Sequence, residues 1–453
     1  MRVGLIDPGS KELTASFPHV GLGYIASVLR SNGVSVKILD VAVSNRREVD
    51  DFLNQSFNLV GITTTSATYD KALKIADEVK VRNPTTKVVL GGPHIGIAME
   101  KSLDRSSVID YAVYGEGEYT LLELVRLLET GNHSTEKLQR ICGLIFRDES
   151  IVLTEPRPWI RNLDSLPFPA WDLFPIERYD QHVLLTSRGC PFNCSFCAVP
   201  ILWGRHWRAR SVSNVVDEVR WVISTFGKKP FYIADDNFTM DTDRIESFCD
   251  EIRSLNIQWF CQGVRAERVT KAMLKKMKDA GCIGIALGVE SADPMVLKNI
   301  DKGETVEDIE KAVTMIRDTD INIHGLFMIG NIGDTYNTIK KSIDFAINQS
   351  FTTFDFYLAL PYPQTKLWNY VEESGRWINK DYTKFNHFSN MPVFETPEFP
   401  AEERMKAYQL ALCASRKAKR KYYFNSLKRA ICGDFRLITK YRIKQFFKFL
   451  VGV

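Results

Sequence analysis

The sequence lacks any apolar run long enough to cross a membrane. No stretch reaches the roughly 18 consecutive apolar residues that a bilayer-spanning helix requires. The first ten residues, MRVGLIDPGS, carry one Arg and only a short apolar stretch before Asp7 and Pro8. This pattern is typical of a first strand and not of a secretory signal peptide. We therefore expect a cytoplasmic protein.

Cysteine is also scarce, with nine residues among 453, which excludes a scaffold held together by disulfides. Six of the nine stand alone, whereas Cys190, Cys194 and Cys197 fall within eight residues. The remaining composition, 45% hydrophobic and 25% charged, is that of an ordinary globular protein. It excludes wholesale disorder, collagen-like repeats and coiled-coil rods.

The chain has little net charge, +4, but the charge is unevenly distributed. Residues 401–453 contain 14 Lys and Arg against 3 Asp and Glu, so this segment carries +11 and residues 1–400 carry −7. Aromatic residues lie between the basic ones, a pattern found in helices that bind anionic membranes or nucleic acid. A solvated terminal helix pair that packs its aromatics on its own domain is the alternative. Of the two external surfaces we favour the membrane.

The first 130 residues alternate β-branched runs with amphipathic stretches, which is the pattern of βαβ units. We predict a doubly wound, Rossmann-like or flavodoxin-like domain over residues 1–135. Its ligand crevice should lie at the carboxyl ends of the parallel strands. The five predicted strands are 3–7, 34–39, 59–63, 87–90 and 111–113. Small and polar residues follow them, namely Thr63, Thr64, Ser66, Gly91, Gly92, Gly115, Glu116 and Gly117.

Residues 136–182 interrupt this alternation, and we predict a small hairpin followed by a Pro-rich linker. Alternation returns over 183–365. Six βα units are too few for a closed eight-stranded barrel, so we predict an open (βα)6 partial TIM barrel with its site on the C-terminal face. The remaining residues, 366–453, should form a basic α-helical extension. The predicted barrel strands are 183–187, 230–234, 258–262, 282–289, 322–329 and 354–359.

The three clustered cysteines follow the first barrel strand in the segment SRGCPFNCSFCAVP. The spacing Cys-x3-Cys-x2-Cys places three thiolates on one loop, as an iron–sulfur cluster requires. No fourth cysteine lies nearby, so one iron of a four-iron cluster would be open to a ligand that is not protein. Zinc is the alternative, but the sequence has no second Cys or His pair to complete the usual four ligands.

This loop resembles that of the radical S-adenosylmethionine (SAM) enzymes, and the whole chain resembles those members that carry an N-terminal cobalamin-binding domain. The segments VVLGGPHIG and YGEGE look like the cobalamin half, and YIADDNFT and GVESADP look like the radical half. The resemblance implies three cofactors: a 4Fe–4S cluster on the three cysteines, SAM on the open iron, and cobalamin at the strand ends of the first domain. It also implies that the reduced cluster cleaves SAM to a 5′-deoxyadenosyl radical.

The same resemblance places SAM contacts at the carboxyl ends of the barrel strands. A phenylalanine contacts the adenine, two carboxylates the methionine ammonium, and an arginine the methionine carboxylate. A Glu-Ser pair contacts the ribose, and a glycine lets the backbone approach the adenine. In chain order these residues are Phe196, Asp235, Asp236, Arg265, Glu290, Ser291 and Gly330. The Asp pair can equally cap a helix, and a lone Arg is more often in a surface ion pair.

The first domain departs from the family pattern at one motif. Many cobalamin domains carry Asp-x-His-x2-Gly, whose histidine binds cobalt, but here His94 has Gly92 and Ile97 at the other two motif positions. Either cobalamin binds without a protein histidine or the domain no longer binds it. We favour binding without histidine, because the Gly-rich strand ends remain. His19 and His94 are expected to face the crevice as hydrogen-bonded structural residues.

The resemblance implies a cobalamin-dependent radical SAM enzyme that methylates an unactivated carbon of a small molecule, lipid or natural product. Two alternatives stay open. One is a cyclase, oxidase or rearrangement enzyme with the same cofactors, and the other is a non-catalytic cobalamin or cluster sensor. The expected partners are a small-molecule or lipid-like substrate, a flavodoxin-type or ferredoxin-type electron donor, and the inner face of a membrane for the basic tail, with nucleic acid disfavoured.

Overall fold

The computed structural model describes residues 1–9, 17–349, 351–387 and 389–431. Its first sheet has seven strands in the order β2-β1-β3-β4-β5-β6-β7. These are β1 (Arg2–Asp7), β2 (Ser35–Asp40), β3 (Leu59–Thr63), β4 (Lys87–Gly91), β5 (Tyr111–Val113), β6 (Leu144–Arg147) and β7 (Ile151–Leu153). Strands β1 to β5 are parallel, and the last two are antiparallel.

Helices connect these strands and cover both faces of the sheet. They are α1 (Val20–Ser31), α2 (Arg46–Leu53), α3 (Tyr69–Arg82), α4 (Pro93–Ala98), α5 (Gly117–Glu129) and α6 (Thr135–Gln139). Central strand β3 is buried at every residue, as a parallel strand with helices on both sides should be. The predicted doubly wound domain is therefore confirmed.

The hairpin β6–β7 belongs to this sheet and not to the linker in which the sequence analysis placed it. Strand β6 pairs antiparallel with β5, with Ala112 opposite Ile145. The physical reason is burial, because Leu144, Ile145 and Phe146 lose almost all of their exposed surface against the first domain.

The second sheet is the predicted open barrel of six parallel strands, in the order β15-β14-β13-β12-β11-β8. A separate short antiparallel pair, β9 with β10, leads into and out of the cysteine loop. In chain order the strands are β8 (His182–Leu184), β9 (Ser187–Arg188), β10 (Arg208–Ala209), β11 (Phe231–Ile233), β12 (Trp259–Val264), β13 (Cys282–Glu290), β14 (Asn322–Ile329) and β15 (Thr353–Leu358). The helices are α7 (Val199–Trp203), α8 (Val212–Phe226), α9 (Thr242–Ile252), α10 (Lys271–Asp279), α11 (Pro294–Asn299), α12 (Val306–Arg317) and α13 (Tyr336–Asn348).

The C-terminal extension consists of α14 (Lys366–Ser374), the short strands β16 (Arg376–Trp377) and β17 (Phe394–Glu395), and the long helix α15 (Ala401–Ile431). Helix α15 packs on strand β15, where Ser415 Oγ donates to Phe354 O at 2.8 Å. The described part of the basic tail therefore packs on the barrel, as the second of the two predicted alternatives has it. Residues 432–453, which hold the rest of the basic residues, lie outside the described residues. Within the described ranges, no helix is both long and apolar enough to cross a membrane.

The linker fastens the two sheets together. Pro169 packs on α1 so closely that a Cβ on Gly23 would lie 2.8 Å from its side chain. Two residues later, the indole of Trp171 donates to Glu218 of α8 at 3.1 Å. The linker is therefore an ordered part of a shared core.

A buried ion network joins the first domain to the barrel. Arg188 of β9 donates to Glu116 Oε1 and to Glu118 Oε1, both at 2.7 Å. Arg208 of β10 lies 3.0 Å from Glu116. The four side chains are at most 10% exposed. Each charge in this interface therefore depends on its partner, because removal of one partner leaves a desolvated charge uncompensated.

We expect Arg188→Met to lower the free energy of unfolding by about 3–5 kcal/mol, because it leaves two buried carboxylates with too little countercharge. Urea denaturation of the cofactor-free chain measures this change. Arg140→Met is the matched control, since Arg140 pairs with Glu136 at 2.6 Å while both side chains are more than 70% exposed. The control should change stability by less than about 0.5 kcal/mol. Equal small effects of both substitutions would contradict the expectation.

Candidate active site

The cysteine loop lies between β9 and α7 at the C-terminal mouth of the barrel. Its backbone is held from two directions, because Ser195 N donates to Ile300 O and Ser195 O accepts from Leu367 N, both at 2.9 Å. Cys197 N donates to Cys194 O at 3.0 Å, which closes a turn between the last two cysteines. The loop therefore has one fixed path although it contains no regular element.

The three thiols are free and half-buried. Burial raises the pKa of Cys194 and raises that of Cys197 to about 12, so each keeps its proton until a metal displaces it. Within the described residues, no three His, Cys, Asp or Glu side chains converge to hold a single metal ion. A zinc site needs its ligands around one ion, whereas a cubane cluster binds each cysteine through a different iron atom. The donor set fits a 4Fe–4S cluster.

Two side chains that follow β11 offer spare hydrogen-bonding capacity beside this loop. Asp236 accepts from Gly189 N at 3.0 Å, and its other carboxylate oxygen has no partner in the described part of the chain. Asn237 donates to Cys190 Sγ at 3.5 Å, and its Oδ1 is buried with no partner there. Asp236 is exposed, whereas Asn237 Oδ1 is buried, and because buried polar atoms are normally paired this atom indicates a ligand with a donor of its own.

Asp235 does not share this position. It is fully buried, and its carboxylate accepts from Thr186 N, Thr186 Oγ1 and Ser187 Oγ, each at 2.6 Å. These bonds tie β11 to the chain that enters the cysteine loop. The expectation that Asp235 contacts a ligand ammonium is therefore corrected, because the fold itself uses this carboxylate.

A buried ammonium lies near the end of β13. Lys302 is 5% exposed, and its Nζ lies 3.4 Å from Glu290 Oε1 and 3.5 Å from Glu304 Oε2. Glu290 has a φ of 63°, a conformation that costs energy for any residue except glycine. Strained residues of this kind cluster at ligand sites, and the ribose contact of Glu290 stays a prediction.

Arg265 is committed to protein partners. Its Nε donates to Glu267 at 2.6 Å, and its guanidinium stacks on the ring of Phe192 at 3.6 Å. Only 7% of the residue is exposed. These contacts hold Arg265 at the mouth of the barrel, and its contact with a methionine carboxylate stays a prediction.

Two other predicted residues also have structural roles. Ser291 is fully buried, and its Oγ accepts from Asp293 N at 3.1 Å at the start of α11. Gly330 has a φ of 99°, and a Cβ there would lie 2.6 Å from the guanidinium of Arg404. A side chain at this position would therefore meet the buried arginine of α15, and the approach of backbone to adenine stays a prediction.

Sequence reasoning missed Asn237, Lys302 and Asn331. Asn331 is 3% exposed, and neither atom of its amide has a partner among the described residues. Asn237 directly follows the predicted Asp236, and Asn331 directly follows the predicted Gly330. Polar residues one position further along these two strand ends could therefore have been included in the prediction. Lys302 lies in a loop without such a signal.

Phe196 is half-buried and packs on the hydrophobic cluster of segment 359–394.

The first domain has a cavity of about 310 Å³ at the carboxyl ends of its strands. The cavity continues between the sheet and helices α1 and α5, where Leu5, Gly61 and Leu121 line it. At its mouth Gly92 has a φ of 93°, and a Cβ there would lie 2.7 Å from Thr63 Oγ1. An apolar slot with a glycine rim fits the buried tail of a cobalamin.

Most of the residues predicted for this crevice line the cavity, namely Thr63, Gly91, Gly92, Gly115, Glu116 and Gly117. Thr64 and Ser66 do not, because their hydroxyls bond inside the domain to Gly91 O at 2.8 Å and to His94 Nδ1 at 3.1 Å. Glu116 lines the cavity while its carboxylate is held in the ion network described above.

The two histidines differ in position. His19 lines the cavity and caps α1, with its Nδ1 accepting from Leu22 N at 3.2 Å. His94 is 1% exposed and packs between Tyr69 and Tyr382, with ring centroids 4.2 and 5.7 Å away. Burial lowers the pKa of His94 to about 4. The expectation that His94 faces the crevice is therefore wrong.

The cavity of the first domain is also lined from the barrel side. Leu202 and Trp203 of α7, together with Arg188, contribute to its wall. Helices α4 and α7 approach so closely that a Cβ on Gly96 would lie 2.7 Å from Leu202. The helix that ends the cysteine loop therefore borders the crevice of the first domain.

Two family models match the chain. One, described as the radical SAM superfamily, covers residues 184–346, and the other, described as a B12 binding domain, covers residues 11–125. An uncharacterized methyltransferase of Pyrococcus horikoshii is 34% identical over 406 residues, which is 87% of this chain and 86% of that protein. The anaerobic magnesium-protoporphyrin IX monomethyl ester cyclase of Cereibacter sphaeroides is 29% identical over 414 residues, with 85% and 66% covered.

A solved structure shares the complete architecture. The radical SAM methyltransferase TsrM from Kitasatospora setae, with tryptophan substrate and a SAM analog bound, matches with a TM-score of 0.74 and 19% identity. The match covers 91% of this chain and 89% of that one. At this identity the likeness shows the fold.

We expect Cys194→Ala to abolish retention of iron and sulfide after anaerobic reconstitution, because two thiolates cannot hold a cluster that leaves one iron open. Iron and sulfide analysis of the desalted protein measures this. Cys413→Ala is the control, since Cys413 is a free, exposed cysteine on α15, and it should retain the same iron as the unchanged chain. A variant at Cys194 that keeps four irons would contradict the assignment.

Proposed function

Because this chain belongs to the radical SAM enzymes that carry a B12-binding domain, we propose that it methylates a carbon atom of a small-molecule or lipid-like substrate. Its cofactors are a 4Fe–4S cluster, SAM and cobalamin. The main support is a cavity that both domains line, because Leu202 and Trp203 of the cysteine-loop helix border the crevice of the first domain. Two cofactor sites that share a wall suit a reaction that needs both.

Cys190, Cys194 and Cys197 would hold the cluster, and the strand-end glycines of the first domain would surround the cobalamin. When bound, the cluster would supply the electron that cleaves SAM to a 5′-deoxyadenosyl radical, and cobalamin would serve as the methyl carrier. The protein orients them and excludes water. Because His94 is buried against two tyrosines and His19 is a helix cap, we propose that cobalamin binds without a histidine from this chain.

The polar groups at the barrel mouth match the parts of SAM. We propose that Asp236 binds the methionine ammonium and that Lys302 binds the methionine carboxylate, since each is a charged group at the mouth beside the cysteine loop. Glu290 would accept from the ribose hydroxyls. Asn331 offers one donor and one acceptor side by side, which suits the edge of an adenine.

A cyclase with the same two domains is the second candidate, and the cyclase of Cereibacter sphaeroides, 29% identical, favours it. Methyl transfer and cyclisation share the radical step, so the mouth residues alone do not distinguish them. The sensor alternative has no such support, because the relatives named above are enzymes.

A flavodoxin-type or ferredoxin-type electron donor is part of the proposal. The packing of α15 on the barrel gives no support to a membrane contact of the described part of this helix.

The decisive experiment is anaerobic. The full chain, reconstituted with cluster and cobalamin, is incubated with reductant and SAM, and 5′-deoxyadenosine and S-adenosylhomocysteine are measured separately. We expect both products, with the second dependent on cobalamin. Formation of 5′-deoxyadenosine alone would favour the cyclase, and formation of neither would overturn the proposal. Cys194→Ala should form neither product, while Cys413→Ala should form both.

Substitution of the two adjacent aspartates should affect different quantities, SAM affinity at Asp236 and the free energy of unfolding at Asp235. We expect Asp236→Asn to weaken SAM binding about tenfold, which corresponds to about 1.4 kcal/mol, with unchanged stability. Asp235→Asn should lower the free energy of unfolding by about 1–3 kcal/mol, because an amide NH2 would face the donors of Thr186 and Ser187. Anaerobic calorimetry with SAM and urea denaturation measure the two effects. Loss of SAM affinity at Asp235 with normal stability would contradict this division.

A further inference from the structure

The barrel contains a second cavity, which we call the lumen cavity, with a volume of about 490 Å³. It lies at the N-terminal half of the strands, away from the cysteine loop, and side chains of β11 to β15 line it. Phe17 and Tyr422 add one residue each from the two terminal segments. The volume falls within the range of small-molecule sites, about 300–1,000 Å³.

One wall of the lumen cavity is aromatic. The ring centroids of Phe17 and Tyr232 are 4.9 Å apart, and those of Tyr232 and Phe260 are 5.0 Å apart with an interplanar angle of 25°. Strand β13 adds Gly284 and Ala286, which leave space beside this wall. Such a surface fits a flat ring system, because aromatic rings attract one another in offset stacks.

The wall formed by β14 and β15 is polar. His324 Nδ1 is hydrogen-bonded to Thr353 Oγ1 at 2.8 Å, and His324 Nε2 lies 3.5 Å from Asp355. Asp355 is paired with Lys419 of α15 at 2.6 Å. Burial lowers the pKa of His324, so the imidazole is neutral. This wall therefore offers neutral hydrogen-bonding groups, and the nearby carboxylate of Asp355 already has its countercharge.

An amide lies between these walls and the mouth. Strand β12 has a bulge between Cys261 and Val264, where Gly263 has a φ of 68°. Gln262 at the bulge is half-buried and lines the cavity, and its amide makes no hydrogen bond to the described residues. Bulges re-aim side chains near active sites. From Ala286 in the cavity to Glu290 at the mouth the strand rises by about 13 Å, the length of a small organic molecule.

We propose that the lumen cavity binds the non-reacting part of the substrate, and that this part is planar, uncharged and carries a hydrogen-bonding group. The ring lies on the wall of Phe17, Tyr232 and Phe260, and the polar group bonds to the amide of Gln262. The reacting carbon then extends to the C-terminal mouth. This inference rests on the proposed function, because it assigns the substrate of that same site.

Gly284 allows a direct test. A Cβ on this glycine would meet its nearest atoms at 3.7 Å, which is ordinary contact, so a side chain can enter the cavity without displacing the backbone. Gly284→Phe fills the lumen, and Gly284→Ala is the matched control. The probe is 2-naphthol, which is planar, uncharged and has one hydroxyl. Its binding is measured by calorimetry on the full chain loaded with cluster and cobalamin.

We expect one molecule of 2-naphthol to bind per chain. Gly284→Phe should weaken binding by about tenfold or more, because it removes the space, whereas Gly284→Ala should stay within about threefold. Gln262→Leu should weaken binding by about five- to tenfold through loss of one hydrogen bond, and it decides the matter if Gly284→Phe does not fold. Iron content and the thermal midpoint check the folding of each variant.

Absence of binding to the unchanged chain, or equal binding by all variants, would overturn the inference. The same preparations are assayed for 5′-deoxyadenosine and S-adenosylhomocysteine. If both products form but 2-naphthol does not bind through the lumen, the inference fails and the proposed function stands. If neither product forms while binding depends on Gly284, the proposed function fails and the lumen site stands.

Discussion

The buried contact of Arg188 with Glu116 and Glu118 is the constraint on which the rest of the site depends. The arginine lies two residues before Cys190, and the carboxylates lie at the rim of the first-domain cavity. A desolvated charge cannot move away from its partner without a large cost in free energy. The position of the cysteine loop is therefore tied to the position of the crevice, and α7 is kept against it.

Most of the fold could be predicted because the long strands and helices are specified by local periodicity. Central strands such as β3 are continuous apolar runs, and residues at their carboxyl ends are small. The hairpin β6–β7 could not be assigned to its sheet in this way. Its residues predict a hairpin, but only the burial of Ile145 and Phe146 against the first domain decides which sheet it joins.

Candidate residues were harder to predict than the fold, since a motif identifies a position and not the direction of a side chain. Asp235 and Asp236 are neighbours on one strand end, yet alternation turns one into the protein and the other into the mouth. Arg265 and Gly330 were predicted as SAM contacts, and their protein partners, Glu267 and Arg404, are contacts that spacing does not reveal. Lys302 had no local signal at all.

Helix α15 has a consequence for the synthesis of the chain. Among the described residues, strand β15 is the last strand of an open sheet, so one row of its backbone groups has no neighbouring strand there. Ser415 Oγ bonds to one of these carbonyls, that of Phe354, and α15 covers the strand. Because α15 follows β15 in the sequence, a chain interrupted before α15 would expose an unprotected sheet edge, which is a template for aggregation. The basic helix α15 thus protects the edge strand of the open barrel.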